Sequence, residues 1–265
     1  MCGRFTLTIP TYDDLANALG VEVMPGAAEL YRPRYNIAPT DPSWIVRFDA
    51  QGHRELALLS WGLVPRWSKT LTQAGRPINA RAETLETKPV FKDSFARRRC
   101  VVVSDGFFEW DKSPKRLEAE GQPQPLWFRP ESGGLLFMAG VWDSWRTDGG
   151  EKRVQTFSIV TTAAGPDVEG VHDRMPLVLA GADVDRWLKV PPKDAPAIVT
   201  DEVRALIKPA VKGTLSVTPV SRRVGNVKND DPSVLSVDPP PTAENRGQTL
   251  SLFSDLDRPG GRLKH

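Results

Sequence analysis

The sequence is poor in the residues that build disulfide frameworks and metal centres. It has 265 residues but only two cysteines, Cys2 and Cys100, and three histidines, His53, His172 and His265. Two cysteines cannot form a disulfide framework, and the cysteines and histidines lack the spacing of metal ligands. We therefore expect neither a structural zinc site nor another metal or cofactor.

Long apolar runs and a strong net charge are also missing. No apolar stretch approaches the roughly 20 residues of a membrane-spanning helix, and the mean hydropathy is −0.34. The formal net charge is +2, so the chain as a whole is not a polycation, and any anion-binding surface must be local. The N-terminal MCGRFTLTIP lacks the features of a secretory signal. We expect a cytoplasmic protein with no membrane partner.

Prolines and tryptophans are abundant instead. The 24 prolines and eight tryptophans favour many short elements joined by rigid turns. A helix capped by Thr11 is predicted to end at Leu19, and helical pattern returns over 182–188 and 201–207. Short β-rich runs predict strands over 44–48, 55–61, 100–108, 135–141 and 154–161. This order indicates a single α+β domain with a mostly antiparallel, barrel-like β core and short flanking helices.

The composition changes near Pro232. The last part of the chain is rich in Pro, Ser, Asp, Asn and Gly, and such a segment cannot bury enough apolar area to offset its conformational entropy. We expect a folded domain over residues 2–232 and a disordered tail over 233–265. Leu250, Leu252 and Phe253 form an apolar island in this tail, which is suited to anchor a partner.

Cys2 is the first candidate for chemistry. Removal of Met1 would place an α-amine and a thiol on one residue, with reference pKa values of about 7.7–8.0 and about 8.5. A 1,2-aminothiol condenses with an aldehyde to an imine, and the sulfur then closes a five-membered thiazolidine. The alternative from position alone is that Cys2 is a small buried core residue.

Alternation in the run INARAE places Asn79, Arg81 and Glu83 on one side of an extended segment. An amide can position a nucleophile or a carbonyl, and a guanidinium presents a planar fork to phosphate. The same pattern also fits a surface strand edge with an Arg–Glu pair.

Two further residues have the chemistry of proton donors and acceptors. Glu109 lies among aromatic residues in DGFFEW, and such surroundings desolvate a carboxylate and raise its pKa, which suits a general acid or base. His172 in HDRMP can shuttle protons near neutral pH, and Arg174 beside it can bind an anion. A Glu at a strand end reaching solvent and a structural His are the alternatives.

Tryptophans and arginines in turns suggest a polymer with bases and phosphates. Trp61, Trp67 and Trp110 lie in Gly/Pro-rich turns, where an indole can serve as a stacking surface. The run 97–99 consists of three arginines and is interpreted as a solvated basic patch with an unspecific phosphate role.

Ten motifs, in order and spacing, resemble the SRAP family, the abasic-site processing proteins also called SOS-response-associated peptidases. The resemblance covers roughly residues 2–232 and stops at the tail. It is carried by MCGRF, RYNIAP, WGLVPRW, NARAET, KPVF, RRRCVVVSDGFFEW, FMAGVWDSW, TFSIVTT, HDRMPLVL and PVSRRVGNVKN.

The resemblance implies a covalent function on damaged DNA. After loss of Met1, Cys2 would form a thiazolidine with the ring-opened sugar of an abasic site in single-stranded DNA and shield the lesion in the DNA damage response. By the same resemblance Asn79 orients Cys2, Glu109 is the acid or base of ring opening and crosslinking, and His172 shuttles protons. Its implied DNA-binding residues are Arg4, Asn36, Pro39, Trp67, Arg81, Trp110 and Arg174.

Two departures and two alternatives accompany this interpretation. Some relatives carry two adjacent tryptophans where this chain has Trp67-Ser68, and a retained Met1 would block the amine. Sequence spacing also fits an N-terminal-cysteine peptidase that removes its own Met1, with Asn79 at the oxyanion. A non-covalent binder of single-stranded DNA is the other alternative.

The tail adds a prediction about a partner. Gln248 and the residues up to Phe253 resemble the short peptide by which bacterial proteins bind the replication sliding clamp. We expect the clamp as a possible partner and the protein at the nucleoid when bound to DNA. The sequence has no heptad repeat and no long exposed apolar face that would indicate a dimer, so a monomer is expected.

Overall fold

The computed structural model describes residues 2–49, 51–147, 150–192 and 194–237. Within these ranges the strands are β1 (Phe5–Leu7), β2 (Arg34–Ile37), β3 (Pro42–Phe48), β4 (Arg54–Trp61), β5 (Asn79–Arg81), β6 (Arg99–Ser104), β7 (Gly106–Asp111), β8 (Gln124–Pro130), β9 (Leu136–Arg146), β10 (Arg153–Ala163), β11 (Arg174–Pro176), β12 (Val178–Leu179) and β13 (Leu215–Pro219). The helices are α1 (Tyr12–Leu19), α2 (Ala27–Leu30), α3 (Pro89–Arg97), α4 (Pro114–Glu120), α5 (Val184–Leu188) and α6 (Asp201–Arg204). Short 3-10 helices cover Ala82–Thr84, Gly181–Asp183, Arg222–Gly225 and Pro232–Leu235.

Five strands close into a barrel. β4, β3, β6, β9 and β10 pair antiparallel in that order, and a parallel pairing of β10 with β4 closes the ring. Fully buried side chains such as Ile45, Val102 and Met138 belong to the core cluster. β5 and β11 add to β10, and β12 adds to β9. The predicted α+β fold with a mostly antiparallel, barrel-like core and short helices is confirmed.

A second sheet has the order β13, β8, β7, β1, β2, with antiparallel neighbours throughout. The strand predicted over 100–108 is wrong as a single strand, because the chain leaves the barrel after β6 and enters this sheet as β7. Asp105 lies between them, and its carboxylate accepts hydrogen bonds from the Thr6 hydroxyl and from the Thr8 backbone N–H at 2.6 Å. At Gly106 a Cβ would lie 2.2 Å from Trp127 Nε1, so the crossing requires glycine.

The predicted helices are present, two of them shorter than expected. Thr11 caps α1 by accepting from the Asp14 N–H at 3.1 Å, and the helix ends at Gly20. The region 182–188 divides into a 3-10 helix and α5, and 201–207 contains only the four-residue α6. No described helix is long and apolar enough to cross a membrane.

The basic run 97–99 is not a solvated patch, and that interpretation is wrong. Arg98 and Arg99 are buried. Arg98 forms an ion pair with the buried Asp143 at 3.1 Å, and Arg99 donates to the Phe95 carbonyl at 2.7 Å. Burial lowers the pKa of Arg99 to about 10. These arginines connect the end of α3 to the barrel.

The folded part extends beyond the predicted boundary at 232. Val234 is fully buried in a small cluster with Phe108, Val220 and Val224, so the last 3-10 helix packs against the second sheet. Residue 237 is the last residue that the structure describes. The tail is predicted over 233–265, and its part from 238 onward, with the proposed clamp peptide at Leu250, Leu252 and Phe253, lies outside the described residues.

Candidate active site

Cys2 lies three residues before β1 and beside Asn79, the first residue of β5. Asn79 Nδ2 donates a hydrogen bond to the Cys2 carbonyl at 2.8 Å. β5 pairs in parallel with β10, where Asn79 aligns with Ile159 and the buried Ala80 faces the core. The burial of Ala80 and the pairing with β10 therefore fix the position of the amide that anchors Cys2.

The Cys2 side chain is buried, as the alternative reading of a core cysteine predicts. Burial raises the pKa of its thiol far above the ordinary value, and the negative charge of Glu109 acts in the same direction. The Sγ atom lies 3.8 Å from the Arg4 carbonyl, which accepts from the thiol. At neutral pH the sulfur is therefore a protonated thiol and a weak nucleophile.

Glu109 lies on β7 opposite Leu126 of β8 and is only 4% exposed. Burial raises the pKa of its carboxyl, while the nearby His172 acts in the opposite direction. The expectation of a desolvated carboxylate with a raised pKa is confirmed. A carboxyl with a raised pKa keeps its proton to higher pH than an exposed Glu does, which suits a general acid.

His172 lies just before β11 and is partly exposed. Its Nδ1 atom is 2.9 Å from the backbone N–H of Arg174 and 2.8 Å from Asp173 Oδ1. Neutral Nδ1 accepts from the amide, whereas protonated Nδ1 donates to the carboxylate. Each protonation state therefore has a partner, and this suits a residue that takes up and releases protons.

The predicted phosphate ligands have different surroundings. Arg174 binds Glu83 in a bidentate pair at 2.6 and 2.9 Å and donates to the Thr161 carbonyl at 2.6 Å. A phosphate at Arg174 would compete with Glu83. Arg81 is exposed at the end of β5, and its side chain forms no ion pair or hydrogen bond with another described residue. It is the guanidinium of this group most open to a ligand.

Arg4 and Asn36 bind the C-terminal segment of the fold. Arg4 donates to Asn36 Oδ1 at 3.1 Å and to the Val224 carbonyl at 2.8 Å. Asn36 is fully buried, and its Nδ2 donates to the Asn229 carbonyl at 2.8 Å. Pro39 is partly exposed in the following turn. Both polar side chains thus have an internal role, and their predicted contact with DNA stays a prediction.

The three tryptophans predicted as stacking surfaces differ in exposure. Trp61 is fully buried in the core, so its prediction as a presented surface is wrong. Trp110 is partly buried against the cluster of Phe108 and Val234. Trp67 is 49% exposed and is the tryptophan best placed to stack on a base.

Asp143 supports the loop that presents Trp67, and the sequence analysis missed it. Its buried carboxylate accepts from the Arg66 backbone N–H at 3.0 Å and forms an ion pair with Arg98. Trp145 Nε1 donates to the Ser68 carbonyl at 2.6 Å on the other side of Trp67. An acidic residue in the apolar run GVWDSW was the available signal.

The described residues contain no group of three or more Cys, His, Asp and Glu side chains that could hold a metal. The arrangement instead brings together the Cys2 thiol, the Asn79 amide that anchors it, the buried Glu109 carboxyl and the His172 imidazole. These groups can perform nucleophilic addition and proton transfer at a carbonyl.

Comparisons with known proteins identify the family of this chain. The sequence model of the family described as SOS response associated peptidase (SRAP) matches residues 1–227. The chain is 33% identical over 235 residues to abasic site processing protein YoqW of Bacillus subtilis, covering 89% of this chain and 99% of that protein. It is 32% identical to abasic site processing protein HMCES of Gallus gallus, covering 77% of this chain and 66% of that protein.

The fold also matches a solved structure. A crystal structure of a protein from Bacteroides thetaiotaomicron superposes with a TM-score of 0.73 at 22% identity, covering 89% of this chain and 100% of that one. At this identity the likeness concerns the fold alone. The family match over residues 1–227 and the 33% identity to YoqW confirm the resemblance of the motifs, and the chain belongs to the SRAP family.

Proposed function

We propose that this protein processes abasic sites in single-stranded DNA by forming a thiazolidine crosslink through Cys2. The abasic-site processing is supported by the names of its relatives. The crosslink is supported chiefly by the 2.8 Å hydrogen bond between Asn79 and the Cys2 carbonyl, which anchors the cysteine. Glu109 is near enough to help raise the pKa of the Cys2 thiol.

In the first step the α-amine of Cys2 is the nucleophile. Once Met1 is removed, Cys2 carries an α-amine with a reference pKa of about 7.7–8.0, so a useful fraction is neutral near pH 7.5. The amine adds to the C1′ aldehyde of the ring-opened sugar and gives a carbinolamine. Glu109 in its protonated form donates a proton to the departing hydroxyl and water leaves. The nitrogen then returns its proton to the Glu109 carboxylate as the imine forms.

In the second step the thiol of Cys2 is the nucleophile. The Cys2 thiol adds to the imine carbon, a C–S bond forms, and the thiol proton passes to the ring nitrogen with Glu109 or His172 as carrier. The overall reaction joins one aldehyde and one aminothiol, releases one water and involves no oxidation or reduction. A protonated thiol is compatible with this order, because the sulfur attacks only after the amine has created a reactive electrophile.

The same observations weigh against a cysteine peptidase. Peptidase chemistry needs a thiolate, and burial raises the thiol pKa of Cys2. The Asn79 amide donates to the carbonyl of Cys2 itself, whereas removal of Met1 would require a donor at the carbonyl of the preceding residue. Asn79 is therefore better suited to anchoring than to an oxyanion hole.

The strand itself would be bound by the exposed groups around this site. Arg81 offers a guanidinium to phosphate, and Trp67 offers an indole to an unstacked base. Tethering to the sliding clamp through Leu250, Leu252 and Phe253 stays a separate proposal. A pull-down with the clamp tests it, and Leu252→Ala with Phe253→Ala should abolish the capture.

Intact mass spectrometry of the processed protein with single-stranded DNA that carries one abasic site tests the crosslink. Wild type should gain the mass of the DNA minus one water, and the adduct should survive heating without a reductant. Cys2→Ser is the matched control, because it keeps the amine but has no thiol to close the ring.

Cys2→Ser should give an adduct only after borohydride reduces the imine. A wild-type adduct that also requires borohydride would refute thiazolidine formation and leave an imine. Retention that is lost on denaturation in both proteins would instead indicate the non-covalent binder. Retention of Met1 in the isolated protein would remove the basis of the proposal.

A further inference from the structure

Arg76 has a left-handed backbone conformation, and hydrogen bonds hold the two residues that follow it. Its φ angle is +47°, a left-handed conformation that side chains other than glycine rarely adopt. The segment that follows is held in place, since the Leu63 N–H donates to the Pro77 carbonyl at 3.1 Å and Trp61 Nε1 donates to the Ile78 carbonyl at 2.8 Å. Arg76 therefore does not take this conformation through local freedom.

A glycine makes room for the Arg76 side chain. Gly62 has a φ of +119°, and a Cβ there would lie 3.2 Å from the Arg76 carbonyl oxygen and 3.7 Å from Arg76 Nε. The Arg76 stem thus packs directly on the backbone of Gly62. Gly62 begins the loop that presents Trp67, so the guanidinium is attached to the base of that loop.

The guanidinium has no acceptor in the described part of the protein. Arg76 Nε is buried and lacks a hydrogen-bond partner there, and no ion pair joins Arg76 to a described carboxylate. Arg174 Nε is also buried without a hydrogen-bond partner, but Nη atoms of Arg4, Arg98 and Arg174 each bind a carbonyl or a carboxylate. The Nη atoms of Arg76 bind no described residue. A buried donor without an acceptor is costly, so its presence in a strained segment suggests an acceptor supplied from outside.

The position of Arg76 selects the type of acceptor. It lies three residues before Asn79 along the chain and packs against the loop that carries Trp67. An arginine fork matches the geometry of a phosphodiester. We propose that Arg76 binds a backbone phosphate of the single strand where the Trp67 loop meets β5, an inference that rests on the proposed function.

Salt-dependent binding tests this role. Anisotropy of a fluorescent, undamaged single-stranded oligonucleotide is measured against salt concentration, with full-length Cys2→Ala as the parent so that no crosslink forms. Adding Arg76→Gly should weaken binding about fivefold to tenfold at low salt and reduce the slope of log K against log salt by about 0.7. Arg76→Lys keeps the charge but loses the fork, so its affinity should fall between the two.

Two controls separate binding from folding and from net charge. Glycine adopts the backbone conformation of Arg76 without strain, so Arg76→Gly should keep or raise the Tm of the parent while it loses affinity. Arg129→Ala removes one exposed positive charge from β8, where the guanidinium lies over the Trp127 ring, and should leave the slope unchanged.

The failures of this inference and of the proposed function are distinguishable. An unchanged slope for Arg76→Gly, or an equal change for Arg129→Ala, overturns the role of Arg76 even where wild type forms the crosslink. If wild type forms no crosslink but Arg76→Gly still reduces the slope, the covalent reaction fails and the phosphate contact stands. A Cys2→Ala parent that binds no single strand overturns the contact.

Discussion

Replacement of Glu109 by Gln separates the chemical role of this buried carboxyl from its effect on stability. Gln has the shape of a protonated Glu but cannot donate a carboxyl proton. Loss of one general acid typically slows a reaction by about 10²–10⁴-fold. We expect a decrease of this size in the single-turnover rate of crosslinking to an abasic single strand, with little change in DNA affinity.

The pH profile gives the sign of the effect. In wild type the rate should rise with pH as the Cys2 amine loses its proton and fall as Glu109 loses its own, because burial raises the pKa of that carboxyl. The profile should therefore be bell-shaped. The Glu109→Gln profile should lack the alkaline decrease and rise to a plateau.

Glu109→Gln should lower the crosslinking rate but raise the thermal stability at alkaline pH. Since the folded-state pKa of Glu109 is raised, its contribution is fully present below the unfolded-state pKa and is lost as pH rises through the folded-state pKa. Each pH unit between those two pKa values corresponds to about 1.4 kcal/mol, and each kcal/mol to about 2–4 °C in Tm for a domain of this size. Glu109→Gln should thus gain Tm over wild type at pH 8 and gain none at pH 4.

The exposed Glu29→Gln is the matched control and should change neither rate nor the pH dependence of Tm. Single-turnover kinetics and thermal melts of all three proteins across the pH range provide the measurement. A Glu109→Gln variant with the wild-type rate would refute the general-acid role. A Tm difference that is equal at pH 4 and pH 8 would refute the reasoning from burial.

Three other substitutions test the contacts that hold the site in place. Gly106→Ala should lower Tm sharply or prevent folding, because the added Cβ would meet the Trp127 indole, and a Tm within a degree of wild type would contradict the close approach. Asp143→Ala leaves Arg98 buried without its counter-charge, a cost of about 3–5 kcal/mol that thermal melts should detect, and Asp143→Asn should lose nearly as much because it also lacks the negative charge. Asn36→Ala removes the donor to three C-terminal carbonyls, so limited proteolysis should cut that segment faster, and unchanged cleavage would argue against this anchoring role.

Local pattern was sufficient for much of the fold. The capping residue Thr11 and the terminal Gly20 located α1, and runs of β-branched and aromatic residues located the barrel strands. The same reasoning failed over 100–108, where an apolar run continues across two sheets. Asp105 interrupts it through hydrogen bonds to Thr6 and Thr8, which come from the other end of the domain.

The chemistry of the site was also readable from the sequence, since Cys2, Asn79, Glu109 and His172 stand in motifs that match a family. The raised pKa of Glu109 followed from its aromatic neighbours. The exposure of the tryptophans could not be predicted from the sequence, because Trp61 and Trp67 lie in the same motif and only Trp67 reaches solvent. A turn residue's burial depends on which distant strand packs against it.

The sequence by itself determined which functional groups this protein carries and which local elements hold them. Only the tertiary structure decided which of those groups are available to a ligand. Arg4 is occupied by the carbonyl of Val224, 220 residues away, and Asn79 by the carbonyl of Cys2, 77 residues away, while Arg76 has no such partner in the described chain. Hydrogen bonds and ion pairs act over a few ångströms, so the partner of a charged side chain is set by how the chain folds back on itself.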